Sequence, residues 1–150
     1  MDPKISKQLM ELIEDLIFVF GSNRAGVHGA GAAKDAMQWG AKYGQGRGLQ
    51  GRSYGIPTKE TWRDPGLPLP EIGQEIGNFW NFARARPQMP FLVTPIGTGR
   101  AGHSVEDIAK LFERLQFEEN IVLPKQFREV LGVQPNPLTK ELAQKLAASQ

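Results

Sequence analysis

The chain of 150 residues contains no cysteine and only two histidines. The absence of cysteine excludes disulfide bonds and thiolate metal sites, and the few histidines argue against a metal centre. No apolar stretch approaches the roughly 20 residues that span a bilayer, and the first residues lack the apolar segment of a signal peptide. These absences predict a cytoplasmic protein that uses no membrane, no metal and no cofactor.

The net charge is also small, but the charged residues are unevenly distributed along the sequence. The net charge is only +2, yet the stretch from Gly21 to Arg63 contains seven lysines and arginines against two acids. This local excess predicts a positive field that attracts phosphate-bearing ligands, either nucleotides or nucleic acid. A solvated surface on which the charges cluster by chance is the alternative.

The hydrophobic pattern alternates between short apolar runs and helical periods, which predicts an α/β fold. Strands are predicted at 16–20, 53–57, 91–96 and 120–123. Helices are predicted at 4–14, 32–41, 71–85, after Ser104, and from Pro137 to about Ala148. This alternation implies a mostly parallel central sheet with helices on both faces, and ligands in such folds bind beyond the carboxyl ends of the strands.

The first of two glycine-rich loops follows the strand predicted at 16–20. Glycines let backbone N–H groups approach an anion, because no Cβ stands in the way. The order Gly26-Val27-His28-Gly29-Ala30-Gly31 is neither the dinucleotide fingerprint nor a P-loop. Asn23 adds an amide that can bond sugar hydroxyls, and the helix opening near Gly31 adds N–H groups and the positive end of its dipole. The alternative is a structural strand-to-helix turn.

The second glycine-rich loop, Gly97 to His103, follows the strand predicted at 91–96. A helix comes next, because Ser104 and Asp107 have the spacing of a capping box, so the loop has the same anion-binding features as the first. Two such loops at equivalent strand ends predict a ligand with a phosphate or pyrophosphate and a sugar.

Between the loops, the segment from Pro57 to Lys59 with Trp62-Arg63 resembles the macrodomain family, the ADP-ribose-binding fold. The family's order of motifs is present in residues 16–123: Ser22-Asn23, Gly29 to Ala33, the Pro57 segment, then Gly97 to Gly99. The chain is most similar to the branch of DNA ADP-ribosyl glycohydrolase antitoxins and terminal ADP-ribosyl-glutamate hydrolases, and it also looks like phage and prophage proteins with these motifs.

The resemblance implies a three-layer macrodomain-like domain over residues 1–150, with peripheral helices at 1–15 and 136–150. It implies that Asn23 orients the distal ribose and that Lys59 is the principal catalytic group. The ligand-binding candidates are Gly21, Ser22, Asn23, Gly29, Ala30, Gly31, Thr58, Gly97, Thr98, Gly99, Arg100, Ala101 and Gly102.

In the branch that the chain resembles, the lysine is linked to removal of ADP-ribose, in one member through a covalent adduct with the sugar. For Lys59, this covalent role has two alternatives. A free lysine amine is almost wholly protonated at pH 7, so attack on an anomeric carbon requires burial or nearby cations. In the first alternative, a charged Lys59 stabilises an anion. In the second, Lys59 is a surface lysine in the turn after Pro57 and has no role in binding or catalysis.

Other side chains are weaker candidates. By the resemblance, Asp15 is the candidate for an acid that contacts adenine, because many macrodomains carry such an acid at the first strand. Trp62 and Phe127 are candidates to stack on adenine or another base, although packing explains these two aromatic residues equally well. His28 and His103 are candidate acid or base groups, with hydrogen bonding inside the loops as the alternative.

The leading prediction is an enzyme that hydrolyses ADP-ribose from a modified macromolecule, with nucleic acid as one candidate partner. Glutamate-hydrolase members carry an acid just after the second Gly-x-Gly, where this chain has Ala101. That difference favours the main alternative, a reader or sponge that binds ADP-ribose or an NAD-derived nucleotide without turnover. A nucleic-acid-binding accessory protein that uses only the basic stretch is the third hypothesis.

Overall fold

The computed structural model describes residues 3–150 and has an α/β fold. Met1 and Asp2, part of the peripheral segment predicted at 1–15, lie outside the described residues. The helices are α1 (Pro3–Leu12), α2 (Gly31–Ala36), α3 (Leu69–Arg84), α4 (Val105–Leu111), α5 (Lys125–Leu131) and α6 (Pro137–Ala148). The strands are β1 (Ile17–Asn23), β2 (Gly48–Gln50), β3 (Ser53–Lys59), β4 (Phe91–Val93) and β5 (Ile121–Val122).

The five strands form one mixed sheet in the order β2-β3-β1-β4-β5. β1 pairs in parallel with β3 and β4, and β4 pairs in parallel with β5, whereas β2 runs antiparallel to β3. The register of β1 and β3 shifts between Ser22 and Asn23, so that Asn23 lies opposite Lys59. The shift therefore places two predicted site residues side by side at one end of the sheet.

Alternate residues of β1 belong to two separate apolar clusters. Ile17 and Val19 pack in a cluster that includes residues of α3, α4 and α5. Phe18 and Phe20 pack in another cluster, with residues of α1, α2 and α6. A strand that is buried on both faces must be apolar at every position, which explains the unbroken run in the sequence.

Most predicted helices are confirmed. The structure differs from the sequence-based prediction mainly in its short helices and strands. The helix predicted at 32–41 is α2 followed by a 3₁₀ turn at Met37–Trp39. Ser104 caps α4 as predicted, because its side chain accepts a hydrogen bond from the Asp107 N–H at 3.1 Å. The sequence did not predict β2 or α5. Across residues 3–150, no helix has the length and apolar character to cross a membrane.

Candidate functional site

A cleft of about 700 Å³ lies at the carboxyl ends of β1, β3 and β4. Both glycine-rich loops contribute to it, as expected for a parallel arrangement of strands. Its volume lies within the roughly 300–1,000 Å³ of small-molecule sites. The lining consists of Gly21, Ser22, Asn23, Val27, Gly29, Ala30, Gly31, Ala32, Ala33, Thr58, Lys59, Trp62, Thr94, Pro95, Ile96, Gly97, Gly99, Arg100 and Ala101.

The glycines of the two loops divide into two groups. A Cβ added at Gly29 or Gly99 would meet no protein atom within 4 Å. By contrast, a Cβ at Gly26 would lie 2.4 Å from the Gln45 nitrogen, and one at Gly97 would lie 2.8 Å from Ile108 Cδ1. Gly26 and Gly97 are therefore required for packing and for their positive φ angles, whereas Gly29 and Gly99 leave space beside the cleft.

Both loops carry backbone N–H groups that lack a protein acceptor. Within the described residues, this holds for the N–H groups of residues 28–33 and 97–101. The next N–H groups are used inside the second loop, because Gly102 donates to the Gly99 carbonyl and His103 donates to the Gly97 carbonyl, both at 3.0 Å. Of these residues, 29–33, Gly97 and 99–101 line the cleft, so their N–H groups are candidates to bind an anionic ligand.

The neutral polar side chains of the lining are already used inside the protein. Asn23 donates through Nδ2 to the Val27 carbonyl at 2.9 Å and accepts from the Val27 N–H at 3.0 Å. Ser22 donates to the Gly46 carbonyl, and Thr58 donates to the Ser22 carbonyl at 3.3 Å. Asn23 therefore fixes the turn of the first loop, and its bonds to Val27 compete with a role on ribose.

Two cations supply the charge of the cleft. Lys59 donates through Nζ to the Trp62 carbonyl at 2.9 Å, which leaves two of its three N–H bonds for a ligand. Arg100 is exposed and has no hydrogen-bond or ion-pair partner among residues 3–150. In the same described range, the lining contains no aspartate or glutamate. The cleft thus favours an anion over a cation.

Trp62 lies at the rim of the cleft, and 55% of the residue is exposed. The Arg63 guanidinium carbon lies 4.9 Å from the centre of its ring. A flat, exposed aromatic ring beside the lining is a suitable stacking surface for a heterocycle, and the role of Trp62 as a base contact stays a prediction.

Two predicted base contacts lie away from the cleft. Asp15 is exposed before the start of β1, and a strand rise of about 3.3 Å per residue places that start about 20 Å from the far end of β1. Phe127 is fully buried in the cluster of α3, α4 and α5 residues, with its ring 5.3 Å from that of Phe112. These positions correct the expectation that Asp15 and Phe127 contact a ligand.

Neither histidine lines the cleft. His28 is 1% exposed and its Nε2 lies 2.9 Å from the Gln45 carbonyl. His103 Nε2 lies 2.8 Å from the Leu67 carbonyl. Both arrangements correspond to the alternative of histidines that hold loops together.

Two predicted ligand-binding residues of the second loop, Thr98 and Gly102, lie outside the lining. The Thr98 hydroxyl donates to the Pro95 carbonyl at 2.7 Å.

Part of the basic stretch is paired with acidic residues. Arg47 donates to Glu75 through Nε at 2.7 Å and also through Nη2, and Arg24 lies 2.9 Å from Glu60. Burial of Glu75 acts to raise the pKa of its carboxyl, but the hydrogen bonds and charge of Arg47, together with a hydrogen bond from Asn78 and the charge of Arg24, outweigh burial and hold that pKa below its usual value. The positive field near the first loop is therefore weaker than the sequence count suggests.

Replacing Arg47 by alanine is expected to lower the free energy of unfolding by about 2 kcal/mol at pH 7, because Glu75 loses its main partner. This loss of stability is smaller than the loss expected for a fully buried ion pair, because 53% of the Arg47 side chain is exposed and its charge is screened by solvent. Glu75 has a depressed folded-state pKa, so its contribution is present above the pKa of an unfolded glutamate and is lost as pH falls through the folded value.

The loss in the Arg47→Ala protein should therefore stay constant from pH 7 down to the pKa of an unfolded glutamate and shrink only below it, as measured by urea unfolding at pH 7 and at about pH 3. Lys125→Ala is the control, because its pair with Glu129 is exposed and should contribute little. An equal loss from Arg47→Ala at both pH values would contradict the assignment.

The sequence contains two further motifs, one in the second glycine-rich loop and one at the start of β3. The second loop, Gly97-Thr98-Gly99-Arg100-Ala101-Gly102, has the glycine spacing of a dinucleotide fingerprint between a strand and a helix. The segment 51–55 matches Gly-x-Ser-x-Gly, but Ser53 is fully buried at the start of β3 and donates to the Gln50 carbonyl at 2.7 Å. It therefore lacks the exposed position of a nucleophile elbow.

Comparison of the chain with protein-family models, curated proteins and solved structures gives no significant match. The functional argument therefore depends on the geometry of the cleft and on the motifs of the sequence.

Proposed function

We propose that the cleft binds ADP-ribose or a closely related nucleotide, and that the fold is a macrodomain-like, mostly parallel three-layer arrangement. The observation that carries the proposal is the pair of glycine-rich loops, whose backbone N–H groups at residues 28–33 and 97–101 lack protein acceptors. Two separate runs of donors match a ligand with a pyrophosphate between two sugars better than they match a single phosphate.

The remaining lining supports a nucleotide-like ligand. Lys59 and Arg100 supply positive charge without a facing carboxylate in the described lining. Val27, Pro95 and Ile96 supply apolar surface, and Trp62 offers a ring for stacking. Charge for the phosphates and apolar surface for the sugar and base are thus present in one cleft.

We further propose that the protein removes ADP-ribose from a modified macromolecule, with Lys59 as the principal catalytic group. The proposal rests on the resemblance of the Pro57 to Lys59 segment to the hydrolase branch and on the two free N–H bonds of Lys59 beside the cleft. In this role the ammonium group stabilises negative charge that develops on the departing group.

Binding without turnover is the second candidate function. Ala101 lines the cleft at the place where the glutamate-hydrolase members carry an acid, and no other carboxylate replaces it in the described lining. A reader or sponge needs only the donors and the stacking surface, so this arrangement suits it equally well.

Substitutions at the open glycines test the binding site. We expect Gly99→Val to weaken ADP-ribose binding at least tenfold in calorimetry, because the new side chain starts from a position where a Cβ meets no protein atom within 4 Å and occupies space beside the loop donors. Gly29→Ala should have a smaller effect in the same direction. Neither substitution should change the free energy of unfolding by more than about 0.5 kcal/mol.

Gly77→Ala is the matched control. Gly77 lies in α3 outside the lining, and its Cβ would also meet nothing within 4 Å. This variant should bind ADP-ribose like the unaltered protein and gain about 0.5–1 kcal/mol of stability from helix propensity. Unchanged affinity in Gly99→Val would rule out the second loop as a phosphate-binding element.

A further inference from the structure

The segment after β3 turns back on itself and holds Lys59 in a defined position. Lys59 pairs with Gly66 in an isolated antiparallel bridge, and the Leu67 N–H donates to the Thr58 carbonyl at 2.7 Å. The turn between them carries Trp62, whose carbonyl accepts the Lys59 hydrogen bond. Lys59 and Trp62 are therefore parts of one closed turn that ends at Gly66 and Leu67.

The end of this turn, at Gly66 and Leu67, contacts the second glycine loop. Neither of these two residues lines the cleft. A Cβ at Gly66 would lie only 2.2 Å from the Ala101 carbonyl oxygen and 2.9 Å from His103 Nε2. His103 donates through that nitrogen to the Leu67 carbonyl at 2.8 Å. Only glycine permits this approach of the two loops, and one hydrogen bond connects them.

His103 also closes the second loop on itself. Its backbone N–H donates to the Gly97 carbonyl at 3.0 Å, so the same residue joins the two ends of the loop and attaches the loop to Leu67. Between Gly97 and His103 lie Gly99, whose Cβ position is open, and Arg100, which has no partner among the described residues. The loop also has two internal hydrogen bonds, from the Gly102 N–H to the Gly99 carbonyl at 3.0 Å and from the Thr98 hydroxyl to the Pro95 carbonyl at 2.7 Å, but neither attaches it to the turn after β3.

We propose that His103 and Gly66 form a loop clasp, a contact that positions the second glycine loop and its Arg100 relative to Lys59. The clasp makes His103 a positioning residue rather than an acid or base, because its Nε2 is bonded to Leu67 and the residue lies outside the lining. Its importance for ligand binding rests on the proposed function, whereas its effect on the loop does not.

Trypsin cleavage after Arg100 measures the loop without any ligand. We expect the fragment that ends at Arg100 to appear about fivefold faster from His103→Leu than from the unaltered protein. In the variant, the second loop can open to the protease without breaking the hydrogen bond between His103 and the Leu67 carbonyl. His103→Gln should restore the slow rate, since its amide can donate to Leu67. Cleavage after Lys110 inside α4 serves as the internal control for global unfolding.

Equal cleavage after Arg100 in all three proteins would overturn the clasp, and so would a His103→Gln protein that is cut as fast as His103→Leu. A rise in cleavage after Lys110 that matches the rise after Arg100 would also overturn it, because the effect would then be global unfolding. Gly66→Ala provides a second test, since its Cβ must displace Ala101 or the turn, and an unchanged rate after Arg100 would contradict the proposal.

Calorimetry with ADP-ribose then tests the consequence for the site. We expect His103→Leu to bind about tenfold more weakly and His103→Gln to bind like the unaltered protein, because a loop held in place loses less freedom on binding. If the unaltered protein fails to bind ADP-ribose, the proposed function is wrong and the cleavage rates alone decide the clasp. If it binds and all three affinities agree, the clasp has no role in the site.

Discussion

Lys59→Ala is expected to reduce the release of ADP-ribose from a modified substrate by at least about a hundredfold, the scale of losing one charged group that stabilises a transition state. Binding should fall much less, because the backbone donors of both loops remain. Removing Lys59 should leave the fold intact, since its side chain makes a single hydrogen bond to the Trp62 carbonyl. Single-turnover assays and calorimetry on the same preparation separate these two effects.

Lys59→Arg distinguishes the two chemical roles of the lysine. If the ammonium group acts only through its charge, arginine should restore part of the activity. If Lys59 forms a covalent bond to the sugar, arginine should be as inactive as alanine. Turnover at the unaltered rate in Lys59→Ala would show that Lys59 is not the catalytic group, and no turnover in any of the proteins would favour the binding module.

Asn120→Asp is expected to lower the free energy of unfolding by about 3–5 kcal/mol at pH 7. Asn120 is 8% exposed, and its Nδ2 donates to the carbonyls of Ala83 at 3.0 Å, Arg86 at 3.1 Å and Met89 at 3.1 Å. Aspartate has nearly the same shape but directs carboxylate oxygens at these three acceptors. Since domains of this size are stable by about 5–15 kcal/mol, urea unfolding should show a large shift.

Asn120→Ala is the control for this substitution. It removes the same three hydrogen bonds but introduces no charge, so it should cost less than aspartate at pH 7. At pH 4 the difference should narrow, because a protonated aspartate can donate to one of the carbonyls. Aspartate and alanine variants of equal stability at pH 7 would contradict this account of the end of α3.

The sequence predicted those parts of the fold that local physics determines. The apolar run before Gly21 indicated a strand buried on both faces, and β1 packs into two clusters. The cap of α4 followed from the spacing of Ser104 and Asp107, and Pro137 marked the start of α6. Patterns of this kind depend on a few neighbouring residues, so the elements that they predict are found in the folded chain.

The short elements were not predictable in the same way. β2 has only three residues and forms because Gly48, Leu49 and Gln50 pair with β3. α5 follows Pro124 closely and has a single fully buried residue, Phe127, which the sequence offered equally as a base contact. Both depend on tertiary contacts rather than on local pattern.

The candidate site shows a similar division. The glycine motifs correctly indicated two loops beside one cleft, because the carboxyl ends of parallel strands meet at one edge. The partners of individual side chains could not be read from spacing. Arg47 pairs with Glu75, which lies 28 residues away, and His103 pairs with Leu67, 36 residues away.

The most direct test of the central claim is a calorimetric titration of the unaltered protein with ADP-ribose, with ATP and a short single-stranded DNA as comparison ligands. We predict selective, roughly micromolar binding of ADP-ribose, about −8 kcal/mol, with a weak dependence on salt. Absence of binding, or equal binding of all three ligands that weakens steeply with salt, would contradict the claim that the two glycine-rich loops form an ADP-ribose site.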